Sequence, residues 1–167
     1  MKYIKSFLES TKMNEYYSVG IVFWYNNKVL LVHPTNRQDP GAPIEDDENI
    51  WSYPKGKVDD GENHMEAAIR EVSEELDINL PPDFLDGLEE KEAFVGIKKD
   101  NIPEYRGIKH YMYYTYYLSD EEFEEYFDSK YEVPRDKLQL WEVDSARFFD
   151  LEIAEIKLAE KIHKIIE

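Results

Sequence analysis

The chain has 167 residues, a formal net charge of −17 and 42% hydrophobic residues. This length suits one domain, 1–167, with its own core, and the apolar content excludes a disordered chain despite the charge. The negative net charge argues against long nucleic acid or a membrane as partner. The absence of cysteine excludes disulfides, thiol nucleophiles and Cys-based zinc sites. Without a bilayer-length apolar run or a secretory signal core, the chain is expected in the cytoplasm.

The first third of the chain predicts a hairpin followed by a loop. The apolar runs are separated by Asn26-Asn27, a tight-turn signal, and the loop contains three prolines and an acidic run. The predicted elements are, in order, a short strand or arm over 1–15, hairpin strands over 17–25 and 29–32, a mobile surface loop over 34–50 near the entrance to a site, and a short strand over 51–54.

A helix is predicted after Asn63, because Asn63 and Glu66 have the spacing of a capping box. Its apolar residues recur at helical spacing and form one buried stripe: Met65, Ile69, Val72 and Leu76. Glu71, Glu74 and Glu75 share another face, beside the core rather than under it. Three carboxylates so close repel one another unless a cation lies between them, and Mg²⁺ or Mn²⁺ suits oxygen ligands. The alternative is a solvated acidic face.

The second half of the chain alternates strands and short helices. Pro81-Pro82 prevents the central helix from continuing. The predicted elements that follow are a strand over 88–97, a loop over 98–107, a Tyr-rich strand over 108–118, a short helix over 119–130, a strand over 138–148 and a C-terminal helix from Asp150 with Ala154, Leu158, Ile162 and Ile165 on one face.

The segment 56–78 resembles the Nudix box, G-x5-E-x7-R-E-U-x-E-E-x-G-U, where U is a bulky aliphatic residue. It matches every fixed position except the penultimate glycine, which is Asp77 here. In the family that glycine follows the helix, where a left-handed backbone is needed, and Asp tolerates this conformation. We expect Asp77 to cost about 1 kcal/mol of stability without loss of chemistry. Segments 31–34, 51–56, 141–144 and 148–149 are similar to the branch that contains diadenosine tetraphosphate hydrolases and related nucleoside triphosphate pyrophosphohydrolases.

The resemblance implies the Nudix fold, an α/β (α+β) domain with a mixed sheet sandwiched between helices. It also implies Mg²⁺-dependent hydrolysis of a diphosphate linkage, with Mn²⁺ able to substitute. The first candidate substrate is a nucleoside polyphosphate, a dinucleoside polyphosphate such as diadenosine tetraphosphate or a nucleoside triphosphate. The alternatives are removal of pyrophosphate from 5′-triphosphorylated RNA and nucleotide binding without catalysis. Monomer and homodimer both remain open.

Within the box, Glu74 and Glu75 are the expected metal ligands, with Glu71 as a further ligand or as the base that accepts the water proton. The backbone of Gly56 allows a close approach to metal or phosphate. The resemblance implies that Arg70 pairs with box carboxylates, and Glu62 is its expected partner. The catalytic set is therefore Glu62, Arg70 and Glu71.

Lys55 and Lys57 flank the box glycine and are candidates for contact with bridging phosphates, the alternative being charge balance on an acidic protein. Tyr113, from the run 111–117, is a candidate for stacking on a nucleobase, although core packing would also explain these tyrosines.

In many Nudix enzymes a further carboxylate outside the box completes the metal site or acts as base, and Glu142 and Glu104 are the candidates here. His33, His64 and His163 lack metal-ligand spacing and are expected at surface or turn positions. The sequence contains no motif of a serine hydrolase, a Walker-loop NTPase or a dinucleotide-dependent oxidoreductase.

Overall fold

The computed structural model describes residues 14–36, 38–39, 42, 44, 47–98, 101 and 106–167. The N-terminal arm predicted over 1–15 lies outside this range except for its last two residues. Parts of the two predicted loops, and Glu104, also lie outside the described residues. Within the described ranges, no helix has both the length and the apolar character that crossing a membrane requires.

The described residues form six strands, three α-helices and two short 3-10 helices. The strands are β1 (Asn14–Tyr25), β2 (Lys28–Pro34), β3 (Lys55–Lys57), β4 (Lys91–Lys98), β5 (Gly107–Tyr117) and β6 (Val143–Asp150). The α-helices are α1 (His64–Leu76), α2 (Asp120–Phe127) and α3 (Leu151–Lys157), and short 3-10 helices span Arg135–Lys137 and Glu160–Ile166.

The predicted hairpin is confirmed. Asn26 and Asn27 have φ values of 49° and 59°, the left-handed pair that a tight two-residue hairpin turn requires and that Asn tolerates. Trp24 then pairs with Val29 and Tyr25 with Lys28.

The described sheet is mixed, with strand order β4-β5-β1-β2-β6 and with β3 also paired to β1. β5 runs parallel to β1, and the other pairings are antiparallel. The pairing of β1 with β2 is confined to the hairpin end, so β3 can pair with Ser18–Gly20 along the same edge. A Cβ on Gly20 would lie 1.9 Å from the Pro54 oxygen, so only glycine permits this approach. The start of the segment 56–78 is thereby fixed against β1.

Two apolar layers cover the sheet, and alternate residues of β1 point into each. Val19, Ile21 and Phe23 pack with α1 and α2, whereas Val22 packs with α3 and the C-terminal 3-10 helix. The expected arrangement, a mixed sheet sandwiched between helices, is confirmed.

Two strand predictions are shifted by tertiary contacts. Residues 51–54 form only isolated bridges, Val32 to Ser52 and Trp51 to Leu158, and the strand itself begins at Lys55. The strand predicted over 138–148 begins at Val143, because 138–142 form a turn that is tied to α1.

The prediction of a single C-terminal helix from Asp150 is wrong. α3 ends at Lys157, and Leu158 is extended with φ −70° and ψ 136°. The backbone there pairs with Trp51, whose N–H donates to the Lys157 oxygen and whose oxygen accepts from the Ala159 N–H, both at 2.9 Å. The four apolar residues of the predicted face are nevertheless all buried. The periodicity therefore predicted correctly which residues are buried, but predicted incorrectly that they belong to one unbroken helix.

Candidate active site

Both ends of α1 are set by local hydrogen bonds. Asn63 Oδ1 accepts from the Glu66 N–H at 2.9 Å, and Glu66 Oε2 accepts from the Asn63 N–H at 3.2 Å, so the predicted capping box is present. At the other end Asp77 is left-handed, with φ 54° and ψ 42°, and its N–H donates to the Ser73 oxygen at 3.0 Å. This is the conformation that the glycine of the motif would adopt.

α1 buries two of its three neighbouring carboxylates. Glu71 and Glu75 are 7% and 5% exposed, whereas the Glu74 side chain is 46% exposed. The face predicted to lie beside the core is therefore covered at Glu71 and Glu75 and open to solvent at Glu74. The 138–142 turn covers this side of the helix, since the Gln139 N–H donates to the Glu75 backbone oxygen at 3.1 Å.

Glu142 completes a group with the two buried glutamates. One carboxylate oxygen from each of Glu71, Glu75 and Glu142 lies within 4.8 Å of the others; we call these three residues the carboxylate cluster. Glu74 is not part of it; its side chain is half exposed, and its Oε2 accepts from Arg70 Nη1 at 3.0 Å. The structure thus brings one candidate from outside the box into the site and turns one box candidate away from it.

The carboxylate cluster fits a divalent cation. Glu75 Oε2 is buried without a hydrogen-bond partner among the described residues, and burial raises the pKa of Glu75 to about 8. Burial also raises the pKa of Glu71, against the opposing effect of Arg70. Charged carboxylates in this position are unfavourable unless a cation compensates them. An all-oxygen donor set suits Mg²⁺ or Mn²⁺.

Gly56 leaves the space that Glu71 occupies. A Cβ on Gly56 would lie 2.0 Å from Glu71 Cδ and 2.2 Å from each of its carboxylate oxygens. Any other residue at this position would displace the Glu71 carboxylate. The role of the Gly56 backbone as a metal ligand stays a prediction.

Arg70 joins the loop before α1 to the helix. Its Nε and Nη2 donate to the two oxygens of Glu62 at 2.8 and 3.0 Å, the pairing that the resemblance implies. Nη1 donates to Glu71 at 2.8 Å and to Glu74, and Nη2 donates to the Lys57 backbone oxygen at 2.8 Å. Arg70 lowers the pKa of Glu62. It therefore holds Glu71 in one orientation beside the carboxylate cluster.

A cavity of ≈ 230 Å³ adjoins the carboxylate cluster. Its polar lining side chains are those of Ser52, Tyr53, Lys55, Glu75, Glu142 and Lys161. Lys55 is half-buried there, and burial lowers its pKa to about 8, with nearby lysines adding to the effect and Glu75 opposing it. Lys57 is exposed and outside this lining. Of the two lysine candidates, the structure brings Lys55 to the site.

Tyr113 lies in the core rather than at this cavity. It is 4% exposed and its ring centroid is 6.0 Å from that of Tyr53, which favours the packing explanation. The neighbouring Tyr111 is instead surrounded by Lys55, Lys109 and Lys161. This group is not predicted from the sequence. Lys109 and Tyr111 lie two residues apart on β5, but Lys55 and Lys161 are more than fifty and about fifty residues away from them along the chain, and no spacing relates these positions.

The histidines do not join the carboxylate cluster. His33 is 8% exposed, so its predicted surface or turn position is wrong; its Nδ1 is paired with Asp144 across β2 and β6. His64 contacts Glu90, and His163 Nε2 is 2.9 Å from the Leu158 oxygen.

Comparisons with known proteins give a family match over most of the chain and a sequence match over part of it. A family model described as a NUDIX domain matches residues 16–167. An RNA pyrophosphohydrolase of Novosphingobium aromaticivorans is 41% identical over 51 residues, 30% of this chain and 32% of the relative, so the match spans about a third of that curated relative's length.

Solved structures with a similar fold include proteins of E. coli and of Methanosarcina mazei Go1. The E. coli ORF135 protein has a TM-score of 0.52 and 19% identity, with 93% of this chain and 88% of that chain covered. The MutT protein of Methanosarcina mazei Go1 has a TM-score of 0.52 and 15% identity, with 93% and 91% covered. At these identities the similarity shows a shared fold.

Proposed function

The chain belongs to the Nudix hydrolase family, and from this premise we propose that it is a Mg²⁺-dependent enzyme that cleaves a diphosphate linkage in a nucleoside polyphosphate. Mn²⁺ is expected to replace Mg²⁺. The observation that carries the proposal is the carboxylate cluster, with its buried oxygen on Glu75 that lacks a partner in the described structure. The first candidate substrate is a dinucleoside polyphosphate such as diadenosine tetraphosphate, followed by a nucleoside triphosphate, in the cytoplasm.

Each member of the carboxylate cluster has a distinct environment. Glu75 and Glu71 are buried and would hold the cation, with Glu71 oriented by Arg70. A bound divalent cation supplies charge neutralisation on phosphoryl oxygens and acidifies a coordinated water. Glu142 is exposed, so its carboxylate can accept the proton of the attacking water and release it to solvent.

Lys55 is positioned to neutralise charge on the substrate. It lines the same cavity as Glu75 and Glu142, and an ammonium group donates to phosphate oxygens as they gain charge during cleavage. A phosphate anion beside Lys55 would favour its protonated form, which opposes the effect of burial on its pKa.

A second candidate is removal of pyrophosphate from 5′-triphosphorylated RNA. The local 41% identity to a protein named RNA pyrophosphohydrolase favours it, and the bond chemistry is the same. The net charge of −17 opposes contact with a long RNA. If RNA is the substrate, activity should fall steeply with salt.

The proposal is tested by product analysis on an anion-exchange column. The purified protein with Mg²⁺ is given diadenosine tetraphosphate, ATP, dATP, ADP-ribose and a triphosphorylated RNA oligonucleotide in parallel. ATP and AMP in equal amounts from diadenosine tetraphosphate are the expected products. If only the RNA is turned over, with steep salt dependence, triphosphorylated RNA would replace diadenosine tetraphosphate as the proposed substrate. Tight binding of one compound without turnover of any would favour a binding module and overturn the proposal.

A further inference from the structure

Three lysine side chains converge on the ring of Tyr111. The Nζ atoms of Lys55, Lys109 and Lys161 lie 5.3, 5.2 and 4.7 Å from the ring centroid, and Lys161 Nζ is also 3.4 Å from Tyr111 Oη. We call these three residues the lysine cluster. They come from β3, from β5 and from the C-terminal 3-10 helix, so the fold assembles them.

The lysine cluster is unusual in a chain with 37 acidic and 20 basic residues. The described lysines that form ion pairs with carboxylates are Lys28, Lys130 and Lys157; none of the lysine cluster is among them. Lys109 and Lys161 each contribute to lowering the pKa of Lys55, after burial. The face of the Tyr111 ring offsets part of this repulsion, since a cation over an aromatic ring gains about 0.5–1 kcal/mol at exposed sites. An anion between the three ammonium groups would offset the remaining repulsion between them.

One cavity connects the lysine cluster with the carboxylate cluster. Lys55 and Lys161 line it together with Glu75 and Glu142, whereas Lys109 and Glu71 lie outside its lining. The cavity therefore offers side chains that suit a cation and side chains that suit an anion. At ≈ 230 Å³ the cavity is smaller than the roughly 300–1,000 Å³ of sites that enclose a whole small molecule. It therefore suits a chain of phosphates better than an entire nucleotide.

From this arrangement we infer that the lysine cluster binds the phosphate groups beyond the linkage that is cleaved, and that the preferred substrates carry at least three consecutive phosphates. This inference rests on the proposed function and narrows it. A compound with only two phosphates would lie beside Glu75 and Glu142 and would leave Lys109 and Lys161 without an anion. Lys109 and Lys161 thus determine specificity, and Tyr111 is the positioning residue that places their ammonium groups.

A binding measurement tests the inference independently of catalysis. Inorganic tripolyphosphate is titrated by isothermal calorimetry into the metal-free protein in EDTA. The double variant Lys109→Met/Lys161→Met is expected to bind roughly 10- to 100-fold more weakly than wild type, as loss of charge-assisted contacts implies. The matched control, Lys130→Met/Lys164→Met, removes the same charge outside the cavity and should bind as wild type does. Equal binding by both double variants would overturn the inference.

Kinetics then separate this inference from the proposed function. For the substrate with three or more phosphates, kcat/KM should fall roughly 10- to 100-fold in Lys109→Met/Lys161→Met, whereas kcat/KM for ADP-ribose should stay near the wild-type value. An equal fall for both substrates would show a general structural effect and overturn the specificity claim. Tripolyphosphate binding that depends on the lysine cluster, without turnover of any substrate, would support the anion site and refute the proposed function alone.

Discussion

The buried carboxylate of Glu75 destabilises the folded chain when no cation is bound, but it suits a cation site. Its carboxylate is 5% exposed, one of its oxygens lacks a partner in the described chain, and burial raises its pKa to about 8. Such a group costs stability in the absence of a cation and gains most from binding one. Glu74, one residue earlier, is half exposed and bonded to Arg70, so it has no comparable need for a cation.

Substitution of these two residues is therefore expected to have unequal effects. Glu75→Gln should lower Mg²⁺-dependent turnover by at least about 100-fold, the range seen when a main electrostatic group at a reacting centre is removed. Glu74→Gln is the matched control, and its fall should be at least 10-fold smaller, because a half-exposed ion pair contributes about 1 kcal/mol or less. Steady-state kinetics on the best substrate of the panel provide the measurement. Equal losses of turnover in the two variants would indicate that Glu74 is a metal ligand and would contradict its exclusion from the carboxylate cluster.

At the scale of the element, α1 positions the site because both of its ends are defined. The capping box begins the helix at His64, and the left-handed Asp77 ends it after Leu76. Arg70 joins the loop before the helix to Glu71. A shift of one residue in the register of the helix against the sheet would rotate the carboxylates by about 100° and separate them from Glu142.

Asp77→Gly is expected to raise the free energy of unfolding by about 1 kcal/mol, because glycine adopts the left-handed conformation at no steric cost. It also removes a negative charge from the C-terminal end of a helix, where the macrodipole disfavours it. Urea unfolding of wild type, Asp77→Gly and Asp77→Ala measures the effect, with alanine expected to be the least stable. Turnover should be the same in wild type and Asp77→Gly, and a loss of activity in the glycine variant would assign Asp77 a chemical role.

At the scale of the whole molecule, charge is distributed unevenly. The net charge is −17, yet three lysines meet at Tyr111 beside a group of buried carboxylates. Screening by salt weakens the overall repulsion of the acidic surface. A cation bound at the carboxylate cluster acts differently, since it stabilises only the folded chain.

Mg²⁺ should therefore raise the melting temperature beyond the effect of ionic strength. At about 100 times its Kd, a ligand that binds only the folded state adds about 2.7 kcal/mol, which corresponds to roughly 5–10 °C in Tm for a domain of this size. Thermal scans in Mg²⁺ are compared with scans in NaCl of equal ionic strength, for wild type and Glu75→Gln. The excess stabilisation should be absent in Glu75→Gln. Identical curves in Mg²⁺ and NaCl for wild type would argue against a cation site in the carboxylate cluster.

The sequence by itself determined the features that depend on neighbouring residues. The Asn26-Asn27 hairpin, the capping box at Asn63, the left-handed Asp77 and the Arg70 pairing with Glu62 all involve residues within about one to eight positions of each other. Backbone preferences and short-range hydrogen bonds act over such distances without help from the rest of the chain. For the same reason the motif over 56–78 identified the family.

Only the tertiary structure decided which groups meet in the carboxylate cluster and in the lysine cluster. Glu142 joins Glu71 and Glu75 from a turn more than sixty residues away, and three lysines from separate elements meet at one ring. The C-terminal helix breaks because Leu158 pairs with the distant Trp51. Periodicity along the chain reports which side of an element is buried, but it carries no information on which distant element covers that side. Packing of the layers selects those partners, and with them the chemistry of the site.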